Sequence, residues 1–188
     1  MYLCAMKLNS LTVLIFFLSF ILLNCKSETP PINEIDYYQF QDINLSKYDI
    51  DASIKIPDAT AGIGATFMPE VIHELGDYKW KIAVGKNFEL FIEDYGDYPY
   101  LFPEFKKKLF SNNKYYKIEI IKEEKNLLLF KRTIRKTLGN VNSSSYHLFS
   151  VINMNGINYQ FTNRETGDSK KVIDFVYKSI KSLKKNNK

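Results

Sequence analysis

The chain has 188 residues, 26 Lys and Arg against 21 Asp and Glu, a net charge of +5, 45% hydrophobic and 15% aromatic residues, and only 8 Gly and 6 Pro. That composition excludes a disordered or repeat protein and fits one globular core. The positive excess is mild and crowds into Lys178, Lys181, Lys184, Lys185 and Lys188 at the extreme C-terminus, where a helix end favours cations through its dipole; a nucleic-acid partner would call for a basic stripe interleaved with aromatics and a cytoplasmic address, and the N-terminal segment contradicts the second, so none is expected.

Residues 1–24 carry a single charge, Lys7, ahead of an apolar run from Leu11 to Leu23 that is broken past Thr12 only by Ser19. A positive region followed by an apolar one reads as an export signal. At about 13 residues the run falls short of the roughly 20 that a helix needs to cross a hydrocarbon core, so removal is expected and permanent insertion is not. Met6-Lys7 makes a more natural start than Met1, because the residues before it add no charge and set Cys4 ahead of the only one; translation from Met1 or from Met6 stays open.

Leu22-Leu23-Asn24-Cys25 ends the run, and the polar stretch Lys26-Ser27-Glu28-Thr29-Pro30-Pro31 follows at once. This resembles the lipobox of bacterial lipoproteins, with Asn24 where that family usually has Gly, Ala or Ser. The resemblance implies a signal peptide over residues 1–24, cleavage before Cys25, a diacylglyceryl thioether on the Cys25 thiol and acylation of the new amine. Lipid on Cys25 then holds the chain to a membrane, each buried methylene contributing about 0.8 kcal/mol. Lys26, in place of Asp, directly after the cysteine implies the outer membrane; whether the domain faces the periplasm or the surface stays open. Cys4 leaves with the leader and lipid occupies Cys25, so no disulfide forms within the domain. Loss of Lys7 and no acid leaves a mature net charge of +4.

Residues 25–44, with Pro30, Pro31, Asn33 and Asp42 and little periodicity, read as the lipidated N-terminus and a tether, with a helical turn near Ile35 to Phe40. Residues 45–188 read as a single globular domain. Tyr48, Ile50, Ala52, Ile54 and Ile56 alternate with polar residues as a half-buried strand closed by Pro57-Asp58. The stretch Ala59 to Gly76, with Gly62, Gly64 and Pro69, reads as a glycine-kinked strand and a loop. Tyr78, Trp80, Ile82 and Val84 run to a turn at Gly85-Lys86-Asn87 and return through Phe88, Leu90 and Ile92, a hairpin. Pro103 to Phe110 predicts a short helix with proline in its first turn and Lys106 to Lys108 on its outer side. Tyr116, Ile118 and Ile120 turn at Glu123 to Asn126 into Leu127, Leu129 and Lys131, a second hairpin. Tyr146, Leu148 and Ser150 reach Asn155-Gly156, a pair suited to a type I′ turn, and Ile157, Tyr159 and Phe161 come back as a third. Asp168 is placed as N-cap of an amphipathic helix with the stripe Val172, Ile173, Val176, Ile180 and Leu183, and the lysines beyond it read as a frayed end.

Consecutive hairpins predict an antiparallel sheet with one apolar face, and the C-terminal amphipathic helix is expected to cover it, an α+β domain. The strand ending at Ile56-Pro57, the Trp-bearing hairpin, the meander and the closing Val-Ile-Asp-Phe-Val-Tyr-Lys-Ser-Ile-Lys-Ser-Leu resemble the PsbP-like family of small sheet-and-helix modules over residues 45–184. The resemblance implies a fold and transfers no site.

Candidate chemistry is sparse. His73, Glu74 and Asp77, with Glu93 and Asp94 on the following hairpin, form the one cluster where a histidine and several carboxylates converge, but no H-x-x-x-H or C-x-x-C spacing marks a metal site, and no cofactor is expected. Ser143-Ser144-Ser145 precedes Tyr146-His147, yet neighbours on a strand point to opposite faces and no G-x-S-x-G elbow frames a serine. Ala61-Gly62-Ile63-Gly64 lacks the third glycine and the helix of a phosphate loop. Tyr95, Tyr98, Tyr100 and Phe102 make an aromatic-rich stretch of the kind enriched at recognition surfaces. The sequence therefore reads as a non-enzymatic envelope lipoprotein that binds a protein, peptide or glycan partner through the segments 60–76 and 94–103. The competing readings are a small hydrolase using His73 with Glu93 or Asp94, and an immunity-type inhibitor of a secreted toxin.

Overall fold

The computed structural model describes residues 40–58, 68–74, 76–111, 114–135 and 143–186, all within a unit that runs from Ile35 to the C-terminus. The leader, Cys25, Ile35 and the glycine-bearing stretch 59–67 lie outside the described residues. Among the described residues ten strands and two α-helices follow in order: β1 (Phe40–Asn44), a 3-10 turn (Leu45–Tyr48), β2 (Ala52–Pro57), β3 (Glu70–Ile72), β4 (Lys79–Val84), β5 (Phe88–Asp94), α1 (Leu101–Ser111), β6 (Tyr116–Glu124), β7 (Leu127–Ile134), β8 (Ser144–Met154), β9 (Ile157–Thr162), α2 (Lys170–Lys181) and β10 (Lys184–Lys185). The architecture is mostly antiparallel sheet with two helices.

Seven strands form one sheet in the order β3-β4-β5-β9-β8-β7-β6, and β1-β2-β10 form a second, three-stranded sheet. Within the large sheet two meanders, β3 to β5 and β6 to β9, meet where β5 pairs with β9 over Phe91 to Asp94. Helix α1 carries the chain from β5, in the interior of the sheet, to β6 at its far edge. The β8–β9 turn has Asn155 at φ 53° and Gly156 at φ 90°, the pair of positive values that type I′ geometry demands.

Both faces of the large sheet carry apolar residues. Even-numbered residues of β4 and β5, with Leu127, Leu129, Leu148 and Phe161, join the β2 residues Ala52, Ile54 and Ile56 and the α2 residues Ile173, Val176 and Ile180 in the main core. On the other face Leu128, Phe130, Phe149 and Val151 pack against Leu109, Phe102 and Phe105 of α1. The run Leu127 to Phe130 is buried at every position. A strand apolar on both sides is what two-sided cover requires.

The structure corrects four boundaries. Tyr48 to Ile56 is not one strand: Tyr48 ends the 3-10 turn, Asp49 has φ 63°, and β2 starts at Ala52, because a left-handed residue breaks the extended run. Phe40 to Asn44, placed in the tether, is β1, paired with β2 from Phe40↔Pro57 to Asn44↔Ser53. The N-cap of α2 is Ser169, whose hydroxyl accepts from the Val172 N–H; Asp168 instead exchanges two backbone hydrogen bonds of 2.9 Å with Tyr146. Lys184 and Lys185 are not frayed, since they pair with Ser53 and Ala52 as β10; Lys188 lies outside the described residues.

Helix α2 rests on β2, β5 and β8. Val176 is fully buried and Ile180 is 4% exposed; each contributes about 1.5 to 3 kcal/mol, against a total stability of roughly 5 to 15 kcal/mol. A chain ending at Asp168 is therefore expected to lose its cooperative thermal transition by circular dichroism. A transition retained near the full-length temperature would make α2 an appendage.

Candidate functional site

Among the described residues the face of the large sheet under α1 is only half covered. Cross-strand pairing fixes its rows: Lys79, Glu93, Gln160 and Val151 in one, Lys81, Phe91, Thr162, Phe149 and Leu128 in the next, then His147 with Phe130 and Ser145 with Arg132. Alternation puts all of these on one face. Phe105 of α1 stacks on Phe149 with ring centroids 3.6 Å apart and planes 1° apart, and it also reaches Phe130. Beside that stack the sheet stays open, leaving a groove of about 470 Å³ with Phe91, Thr162, Gln160 and His147 along it and Phe105 as a wall.

Most charges at the rim are neutralised. Lys79 pairs with Glu93 at 3.1 Å, and Glu89 takes Lys81 at 2.8 Å and Arg164 at 2.9 Å. The two hydrogen bonds hold the Glu89 carboxyl below its ordinary value, Lys81 contributing most. Behind the groove Asn163 donates to the Tyr146 carbonyl at 3.0 Å and to the Asp168 carboxylate at 2.7 Å, and it accepts from the Leu148 N–H at 2.7 Å. Burial pushes Asp168 up despite the Asn163 bond. Arg132 differs: its guanidinium lies 5.3 Å from the Phe130 ring centre and 5.9 Å from that of Tyr116. Among the described residues no carboxylate comes within ion-pair distance of it, and burial lowers its pKa.

Ser145 and His147 correct the expectation drawn from neighbouring residues. They lie two apart, so they share a face, and the Ser145 hydroxyl meets His147 Nε2 at 2.8 Å. The imidazole is 5% exposed, stacks on Phe130 at 5.2 Å and is pushed down to about 4 by burial, with Arg132 adding to the shift. Gly167 closes over this pair at φ +81°, where a Cβ would stand 2.6 Å from both His147 Nε2 and Ser145 Cβ. The spacing Ser-x-His is legible in the sequence; the half-buried Arg132 and the closing glycine are not, since they meet only through pairing of distant strands.

The residues singled out by sequence are placed apart. His73 stacks on the Trp80 ring at 4.7 Å, and its Nδ1 lies 3.0 Å from the Lys79 carbonyl. Glu93 is on the opposite side of β5, tied to Lys79 and accepting from the Tyr95 hydroxyl at 3.2 Å. Asp94 accepts from the Gly96 N–H at 2.7 Å, a turn contact. The Asp77 N–H donates to the Glu74 carbonyl at 3.0 Å, a backbone turn bond. Among the described residues no group of three or more His, Cys, Asp or Glu converges on a metal position. Tyr95, Tyr98 and Tyr100 are exposed, with Tyr98 edge-on to Tyr100 and donating to Glu104 at 2.7 Å. Phe102 turns inward and packs on Phe149. Of these residues only Glu93 lines the groove. Lipidation at Cys25 and most of the segment 60–76 lie outside the described residues.

No family model matches the sequence, and neither the curated proteins nor the solved structures contain a match.

The depressed His147 pKa has a stability consequence. The folded value of about 4 lies below the ordinary 6.5, so between them the unfolded chain binds more protons and stability falls as pH falls. Glu124, drawn down to about 2 by Lys181 and Tyr177, stays ionised across that window. Denaturant titrations are expected to lose about 2 kcal/mol between about pH 7 and pH 5 in the native chain and far less in His147→Gln. Equal losses in both chains would place the titration elsewhere. Two of the positive-φ glycines separate backbone strain from crowding: Gly156 has open space around its Cβ position, while Gly167 has none. Gly156→Ala should cost about 1 kcal/mol and Gly167→Ala at least about 1 kcal/mol more, measured by midpoint shifts.

Proposed function

We propose that the chain is a lipid-anchored, non-enzymatic binding module of the cell envelope, held to the outer membrane through lipid on Cys25 and taking its ligand in the groove beside α1. The groove carries this reading. Its volume of about 470 Å³ lies in the range of ligand sites, roughly 300 to 1,000 Å³, and its lining sets the rings of Phe91, Phe105, Phe130 and Phe149 among polar side chains. The non-enzymatic part is supported by the imidazole itself. Held near 4, it is a weak base at neutral pH, and among the described residues no carboxylate hydrogen-bonds to it. The membrane part is supported by the apolar leader and the cysteine at its polar boundary.

Two experiments test the halves separately. Labelled palmitate should enter the wild-type chain in cells and be absent from Cys25→Ser; persistent labelling of that variant would sink the anchor. A library of small aromatic compounds, screened against the full chain by saturation-transfer NMR, should give hits that vanish in Thr162→Trp, which sets an indole into the groove on the side of β9 away from the main core. Hits that survive this change would move the site elsewhere.

A further inference from the structure

Arg132 is the unusual charge in the groove. Its guanidinium has five N–H donors, it is half-buried, and it lies near the Phe130 and Tyr116 rings. The other rim cations, Lys79, Lys81 and Arg164, each have a carboxylate partner within 3.1 Å. Glu165 attracts Arg132 from beyond ion-pair distance, and no carboxylate among the described residues satisfies it directly. A half-buried cation without a hydrogen-bonded counter-charge carries an uncompensated loss of hydration, and an anion brought to it restores the balance. Directly across the β7–β8 ladder from Arg132 is Ser145, whose hydroxyl is bonded to His147. Arg132 thus stands at one end of the groove, with Ser145 across the ladder from it, and the other end offers Phe91 and the side of the Phe105–Phe149 stack.

We propose that the groove selects a small organic carboxylate with a flat apolar body, the carboxylate docking on Arg132 beside Ser145 and the body lying against Phe91 and the Phe105–Phe149 stack. This rests on the groove being the binding site and adds its charge preference. Arg is the side chain whose planar fork matches a carboxylate in two parallel hydrogen bonds. The pairing of Lys79 with Glu93 and of Arg164 with Glu89 leaves the choice to Arg132: an apolar body alone satisfies the rings and leaves Arg132 bare, whereas a cation meets repulsion from it.

The test uses the full chain in detergent with indoleacetate and its uncharged amide, compounds alike in shape that differ in the charge of the head group. Titrations followed by NMR should show the carboxylate bound about 10-fold or more tighter than the amide, the range expected of one charge-assisted pair. Arg132→Gln should remove that preference by bringing the carboxylate's affinity down to that of the amide, and Arg132→Lys, which keeps the charge and loses the fork, should retain part of it. The Lys variant also decides the matter if the Gln variant fails to fold. Equal binding of both compounds, lost in Thr162→Trp, would overturn the carboxylate preference and leave the groove standing. A preference undiminished in either Arg132 variant, or no binding of either compound up to about 1 mM, would overturn the proposal; in the second case the compound screen still decides whether the groove binds anything.

Discussion

The pairing of β5 with β9 is the contact on which the rest of the molecule depends. Only four residue pairs, Phe91↔Thr162 to Asp94↔Tyr159, join the meander of β3 to β5 to that of β6 to β9. Without it the main core, which draws on β4 and β5 as well as β7, β8 and β9, falls into two separate sheets. With it, Phe91, Thr162 and Phe149 fall in one row across three strands, and the groove exists because that row is wider than α1. The seam is costly in chain entropy, since it closes a loop of some seventy residues, and the apolar surface it brings together on the main-core side offsets that cost.

The two faces of the sheet then diverge in role. The main-core face is filled by α2 and the three-stranded sheet, with Ile54, Ile56, Ile82, Leu90 and Val176 at no more than 1% exposure. The other face is filled under α1 and left open beside it. A second tie acts outside the core, where Glu124 at the end of β6 takes Lys181 at 2.8 Å and the Tyr177 hydroxyl at 2.7 Å from α2. Being at the surface, that cluster adds little to stability but orients the helix end against the hairpin.

Much of the fold was legible because it is local. Each hairpin shows the period of two, Asn155-Gly156 names its own turn, and the stripe of α2 has helical spacing. What was hidden depends on distance or on choices between equals. Asp168 and Ser169 are both good capping residues, and only the buried bond from Asn163 explains why the first is drawn inward and the second caps. β3 and β10 are too short to show a pattern, and β1 was obscured by the polar residues around it. For the site, the cluster around His73 was read from closeness in sequence, yet strand alternation sends Trp80 and Glu93 to opposite faces and His73 follows Trp80. Arg132 is one basic residue among many until pairing places Ser145 opposite it and rings beside it.

The placement of β10 has a consequence for how the chain is made. β2, near the start of the domain, is completed on one side by β1 and on the other by the last described strand, so the Lys55 N–H is met by the Ser182 hydroxyl at 2.8 Å and the Asp51 carbonyl by the Asn186 N–H at 3.1 Å. That sheet lacks its third strand until Lys184 and Lys185 have been made. Contacts of such long sequence separation form slowly. Under the proposed export, the delay is useful: a nascent domain whose first strands wait for β10 stays open enough to be threaded through a translocon, and locks only after β10 has passed.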